Sequence, residues 1–174
     1  SSLARLLRRT ISNEQELVTI REEIDCTEAY LTIQKMRYKD KLEYSISIEE
    51  DIKEEKIVKL LLQPLVENAI YHGIKYKEGK GTIEIRGFRT GGLIQLEVED
   101  DGIGMEPEQV AALLQNEPSD RTGIGVKNVN DRLRIYFGAD YGISIESAPY
   151  EGTTVTIRTP RVPEDREGDY DKNH

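Results

Sequence analysis

Three acidic side chains, Glu99, Asp100 and Asp101, stand directly before Gly102 and Gly104 in "EDDGIGM", residues 99–105. Such a stretch can ligate a metal, turn a loop or lie against a nucleotide. The preceding "LIQLEVED" alternates: Ile94, Leu96, Val98 and Asp100 share one side of a strand, and Gln95, Glu97, Glu99 and Asp101 share the other. Asp100 is therefore aimed into the apolar layer, where a carboxylate is costly without hydrogen-bond donors. Either backbone amides of the glycine turn satisfy it, or it awaits a ligand with an amine donor. In "GTTVTIR" Thr153, Val155 and Ile157 share parity, so a hydroxyl beside Gly152 also ends an apolar strand side. Together the two groups suit the edge of a flat heterocycle; alone, an inward threonine is an ordinary core residue. Calcium fits poorly. Glu97, Glu99, Asp101, Gly102 and Glu108 fall at EF-hand spacings, but a strand precedes them where that loop needs a helix.

Two further groups carry chemistry. In "KIVKLLLQPLVENAIYHGI", residues 56–74, Asn68 and His72 are four apart and stack on one helix side, with Glu67 adjacent and Tyr71 a turn beyond Glu67. That side is either simply solvated or holds a hydrated magnesium and its phosphates, since magnesium takes oxygen ligands and keeps several waters. In "RTGIGVKNVNDRL", residues 121–133, Gly123 and Gly125 permit close backbone approach, and the following helix offers free amides to an anion. The chain has no GxxxxGK[ST] phosphate loop and lacks the glycine-loop, HRD and DFG set of protein kinases.

The positioning elements follow from periodicity. "TIREE" at 19–23 is a capping box, Thr19 with Glu22, and it opens a helix on which Ile20, Ile24, Thr27, Leu31, Gln34 and Tyr38 form one side. That seam packs either on a partner helix or on its own domain. "LARLLRR" upstream reads as another short helix. From Leu42 a period of two sets Leu42, Tyr44, Ile46 and Ile48 against Glu43, Ser45 and Ser47. A helix is predicted over about 55–72, kinked or restarted at Pro64. Strands "TIEIRGF" and "LIQLEVED" follow, joined by the hairpin turn "RTGG". Then come a polar stretch at 106–122, a helix at about 126–137, and strands "GISIES" and "TTVTIR" around "APYEG". Two hairpins rule out a purely parallel sheet. The predicted class is α+β: a two-layer α/β sandwich with a mixed sheet covered on one face by helices, and an N-terminal helical extension. The tail "PEDREGDYDKNH" is apolar-poor and is predicted to be disordered.

Composition bounds the function. At 174 residues the chain suits one domain with a short appended element. A net charge of -9, from 33 acidic and 24 basic side chains, disfavours nucleic acid and anionic lipid as partners. No apolar run approaches the roughly 20 residues that span a bilayer, and no secretory h-region opens the chain, so a soluble, cytoplasmic fragment is expected. The single cysteine, Cys26, excludes an internal disulfide and a cysteine-based zinc cluster.

Taken in order, "LVENAIYH", "EDDGIGM" and "GIGVKNV" resemble the N, G1 and G2 boxes of the GHKL ATP-binding domain shared by sensor histidine kinases, gyrase-type topoisomerases, Hsp90 and MutL. "IREEIDCTEAYLTIQKMRYKDKL" followed by "LLLQPLVENAIYHGI" is similar to YesM/LytS-type sensor histidine kinases, which extends the resemblance over nearly the whole chain. The resemblance implies the Bergerat fold, ATP and Mg2+ as cofactors, and a role for each matching residue. Asp100 would accept from the adenine amine, directly and through water shared with Thr153. Gly102 and Gly104 would let backbone lie against base and sugar. Asn68 would bind the metal, with Glu67 and His72 beside it as catalytic residues. Gly123, Gly125 and Val126 would form a phosphate rim, joined by Lys127 and Asn128, and 106–122 would be a short ATP lid. Residues 1–40 would be the end of a dimerisation and phosphoacceptor hairpin, 41–160 the catalytic domain and 161–174 a tail. The family's acceptor histidine is expected upstream, since His72 lies in the N box and His174 in the tail; the chain would begin within the second hairpin helix and would bind ATP without phosphorylating itself. Implied partners are that hairpin, a second protomer and a response regulator, in a parent protein anchored in the membrane. The alternative within the superfamily is an ATPase module in which Glu67 activates water. A third reading, a binding module that has lost nucleotide, is opposed by the intact Asp100, Gly102, Gly104 and Asn68.

Overall fold

The computed structural model describes residues 16–115 and 124–163; the "LARLLRR" segment, Gly123, most of the tail and His174 lie outside the described residues. In chain order the elements are β1 (Leu17–Thr19), α1 (Ile20–Tyr38), β2 (Leu42–Ile48), β3 (Lys56–Val58), α2 (Leu62–Asn68), a π turn (Ala69–Gly73), β4 (Gly81–Thr90), β5 (Leu93–Asp100), α3 (Pro107–Leu114), α4 (Ile124–Phe137), β6 (Gly142–Ala148) and β7 (Gly152–Pro160).

Five strands form a mixed sheet in the order β2-β4-β5-β7-β6. β2 runs parallel to β4, and every other pairing in this sheet is antiparallel. Parity behaves as the sequence requires. Ile83, Ile85, Ile94, Leu96, Val98, Val155 and Ile157 are buried on the helix side. The opposite face is polar, with Arg86 paired to Glu84 on its own strand and to Glu97 and Glu99 on β5. The class is α+β, with the helices on one face.

The predicted helix over 55–72 is corrected at its start. Lys56–Val58 is a short strand paired antiparallel with Leu17–Thr19, which suits its two β-branched residues. Leu60 then takes φ 57, a left-handed conformation that no helix contains, so α2 begins only at Leu62. Pro64 occupies the third position of α2, where its missing amide costs no intrahelical bond. Beyond Asn68 the coil widens to the π turn, a geometry found often at functional sites. α4 begins two residues earlier than the periodicity indicates, and the polar stretch after β5 contains α3, whose first helical residue is Pro107.

α1 starts at the anticipated capping box: Glu22 N–H donates to Thr19 Oγ1 at 3.1 Å, and Thr19 N–H to Glu22 Oε2 at 2.8 Å. Its seam packs on the sheet domain itself, because Ile20 and Leu31 belong to the same buried cluster as Leu65, Ile83 and Leu96. Buried side chains from both sides of residue 40 therefore share one cluster. Among the described residues no helix is long and apolar enough to cross a membrane.

Candidate nucleotide site

Asp100 is the last residue of β5 and only 4% exposed. Gly102 N–H donates to its Oδ1 at 2.9 Å. Burial pushes the carboxyl up to about 7; the charges of Asp101 and Glu99 add to the rise, and the Gly102 amide and Lys77 oppose it. One amide is a meagre donor set for a buried carboxylate, since stabilising its charge takes two or three. Across the ladder Asp100 pairs with Thr153. Thr153 Oγ1 lies 2.8 Å from Ser147 Oγ, which also donates to Gly152 O at 2.9 Å and accepts from Met105 N–H at 2.9 Å. With its one proton committed to Gly152 O, Ser147 receives the Thr153 hydroxyl proton, which leaves the Thr153 lone pairs available to an outside donor. Asp100, Ser147, Gly152 and Thr153 border a cavity of about 300 Å³ at the strand ends, together with Glu99, Glu146 and Thr154, which have the opposite strand parity, and Glu151.

The glycines around Asp100 have specific work. A Cβ at Gly102 would sit 2.4 Å from the Gly73 backbone, and one at Gly104, where φ is 67, would sit 1.9 Å from Ala148 O. Their first use is thus backbone-to-backbone packing within the protein. Gly73, at the end of the π turn, was missed by sequence reasoning; a Cβ there would lie 2.5 Å from Asp100 Oδ1. Its signal was the "HG" closing the polar helix side. Ser147 was missed as well, although it shares parity with Ile143 and Ile145 on β6 and pairs with Thr153.

A second cleft, of about 380 Å³, lies between the polar side of α2 with its π turn and the start of α4, and is lined by Glu67, Asn68, Tyr71, His72, Gly125 and Val126 among others. Of the anticipated metal and phosphate residues, Glu67, Asn68, His72, Gly125 and Val126 meet here, while Lys127 and Asn128 do not line the cleft. Asn68 is 7% exposed, and its buried Oδ1 has no hydrogen-bond partner. An orphaned carbonyl oxygen of this kind fits a hard, oxygen-seeking cation such as Mg2+. Glu67 accepts from Gln63 Nε2 at 3.2 Å. Tyr30 of α1 reaches the same neighbourhood: burial first, then the Glu67 charge and Tyr71, raise its phenol well above the ordinary range. A Cβ at Gly125 would meet Pro64 Cβ at 3.3 Å, so a glycine there lets α4 approach α2. Val126 is buried in the core, Lys127 is paired with Asp131, and Asn128 is exposed. Asp100 and Asn68 line separate cavities, and Gly73, five residues beyond Asn68, lies against Asp100 and Gly102.

The sequence profile described as "Histidine kinase-, DNA gyrase B-, and HSP90-like ATPase" matches residues 53–163, and one described as "Histidine kinase" matches residues 1–42. The chain is 35% identical over 159 residues to sensor histidine kinase YesM of Bacillus subtilis, covering 91% of this chain and 26% of that protein. It is 34% identical over 158 residues to sensor histidine kinase BtsS of Escherichia coli, again covering 91% and 26%. The chain thus spans about a quarter of the length of these relatives. Among solved structures, the catalytic domain of histidine kinase ThkA superposes with a TM-score of 0.64 at 13% identity, covering 86% of this chain and all of that one.

Proposed function

This chain belongs to the histidine kinase-, DNA gyrase B- and HSP90-like ATPase family as an ATP-binding domain of the histidine kinase type, and from that premise we propose that it binds ATP with Mg2+ and delivers the γ-phosphoryl group to a histidine upstream of the described residues. The observation that carries this reading is Asp100, a buried carboxyl with its charge opposed by burial and one backbone amide donating to it. A ligand amine supplies the donor it lacks, and adenine carries one. Thr153 offers its lone pairs beside it.

At the other cleft Asn68 Oδ1 would hold the metal, which would supply charge neutralisation at the phosphates. Glu67 and His72 stand beside it, where Glu67 orients the attacking group and accepts its proton. Gly125 and Val126 bring the amide end of α4 toward the phosphates; Lys127 reaches them only by leaving Asp131, and Gly102, Gly104 and Asn128 contribute through backbone placement. The stretch 106–122, of which 116–122 lie outside the described residues, serves as the lid, with α3 in its described part. Catalysis is chiefly positioning and electrostatics. The acceptor hairpin, a second protomer, a membrane-anchored parent and a response regulator complete the proposal.

Calorimetry with ATP and Mg2+ tests it. Wild type binds, and Asp100→Asn, which replaces an acceptor with a donor at one oxygen, weakens binding by at least about tenfold. Equal heats from both proteins, or none from wild type, would overturn the reading.

A further inference from the structure

Glu23 is a carboxylate 4% exposed on α1, far in sequence from any of the three boxes. It accepts from three consecutive backbone amides at the start of α2: Leu60 N–H at 2.9 Å, Leu61 N–H at 2.8 Å and Leu62 N–H at 3.1 Å. The first turn of any helix leaves such amides unpaired. Leu61, in the N-cap position, has no side chain able to take them. Glu23 supplies the missing cap from another helix and places negative charge at the positive end of α2.

The other side of the same turn is held by Arg132 of α4, which donates to Lys59 O at 2.6 Å and Leu60 O at 3.2 Å. Leu60 takes its left-handed φ of 57 between these two grips. That conformation is unfavourable for a branched side chain and persists only where surroundings impose it. Arg132 stands seven residues, about 10 Å along the helix, from Gly125 on the cleft wall. Glu67 and Asn68 stand on α2 just beyond the gripped turn. One helix wall of the cleft is therefore fixed to the other through Arg132, and to α1 through Glu23.

We propose that Glu23 and Arg132 are positioning residues for the phosphate end of the nucleotide site, setting the depth and rotation at which α2 presents Asn68 and Glu67 opposite Gly125. The inference rests on the ATP-binding reading and adds to it the two residues, both outside the family boxes, that hold the cleft's geometry. Neither side chain lines the cleft, so each acts through the turn at 59–62. The adenine end is built on β5, β6 and β7 and meets the α2 segment at Gly73, at the far end of the π turn from the gripped residues.

The purified 174-residue chain is titrated by amide chemical-shift NMR with ATP–Mg2+ and, separately, with adenosine, for wild type, Glu23→Gln and Arg132→Gln. Each variant should weaken ATP–Mg2+ by about tenfold, the scale seen when groups that orient metal ligands are removed, and leave adenosine within about twofold. Equal weakening of both ligands would mean general loosening and would overturn the positioning role, as would unchanged ATP affinity in a folded variant. If one variant fails to fold, the other decides. If both fail, the pair is a requirement of the fold and the proposal falls. Should wild type bind adenosine but not ATP, or neither, the ATP reading itself fails, an outcome distinct from any variant effect.

Discussion

At the scale of single residues, Asp100 links stability to ligand binding. Its folded carboxyl titrates near 7, above the ordinary value of about 3.9. Between those values the folded chain holds a proton that the unfolded chain has lost, so this group's contribution is whole at low pH and disappears as pH rises toward 7. Ligand-free wild type should accordingly lose melting temperature between pH 5 and 7 at this site, and Asp100→Asn should flatten that slope; a slope unchanged in the variant would assign it elsewhere. An amine donated to the carboxylate favours its charged form. Nucleotide binding near pH 6 should then release a proton, measured as a dependence of calorimetric heat on buffer ionisation enthalpy. Gly73 gives a steric counterpart. Its φ of -100 is open to any residue, but the methyl of Gly73→Ala would fall 2.5 Å from Asp100 Oδ1. That variant should lower both the melting temperature and nucleotide affinity, through displacement of Asp100 rather than backbone strain.

At the scale of elements, the capping box of α1 is the clearest local signal. Thr19→Ala removes the hydroxyl that accepts from Glu22 N–H and should cost about 1 kcal/mol in urea unfolding. Such signals were legible because they are local. Parity alone placed Asp100 and Thr153 on the same side of their strands, and the ladder pairs them directly. What was not legible depended on contacts distant in sequence. "KIVKLLL" reads as apolar helix, and only its pairing with Leu17–Thr19 makes residues 56–58 a strand. Glu23 looks like one more acid in the first turn of α1, since its partners lie at least 37 residues away. The packing of Gly102 on Gly73 was hidden for the same reason: the glycine motif announces a close approach without saying what approaches.

At the scale of the molecule, α1 is part of the globule. Ile20 and Leu31 are fully buried in the common cluster, and two such side chains contribute roughly 1.5–3 kcal/mol each. A domain's total stability is only about 5–15 kcal/mol. A chain begun at residue 41, the boundary suggested by resemblance, would lose that burial, the β1–β3 pairing and the Glu23 cap together. It should show no cooperative thermal transition, whereas one begun at residue 16 should retain it; a sharp transition in the shorter chain would make residues from 41 onward a domain of their own.

The strand order has a consequence for how the protein is made. β7 is the last described strand, yet it lies between β5 and β6 and carries Thr153. During synthesis β5 and β6 cannot be neighbours until residues 152–160 have left the ribosome and inserted between them. Until then both expose unpaired edges, which are templates for aggregation. A ribosome stalled before residue 152 would hold a chain in which α1 and the β2–β4–β5 half can assemble while the adenine end cannot. Arrest at successive lengths, followed by pulse proteolysis, should show protection of the β2–β4–β5 half first and of the β6–β7 end only after residue 160 has emerged.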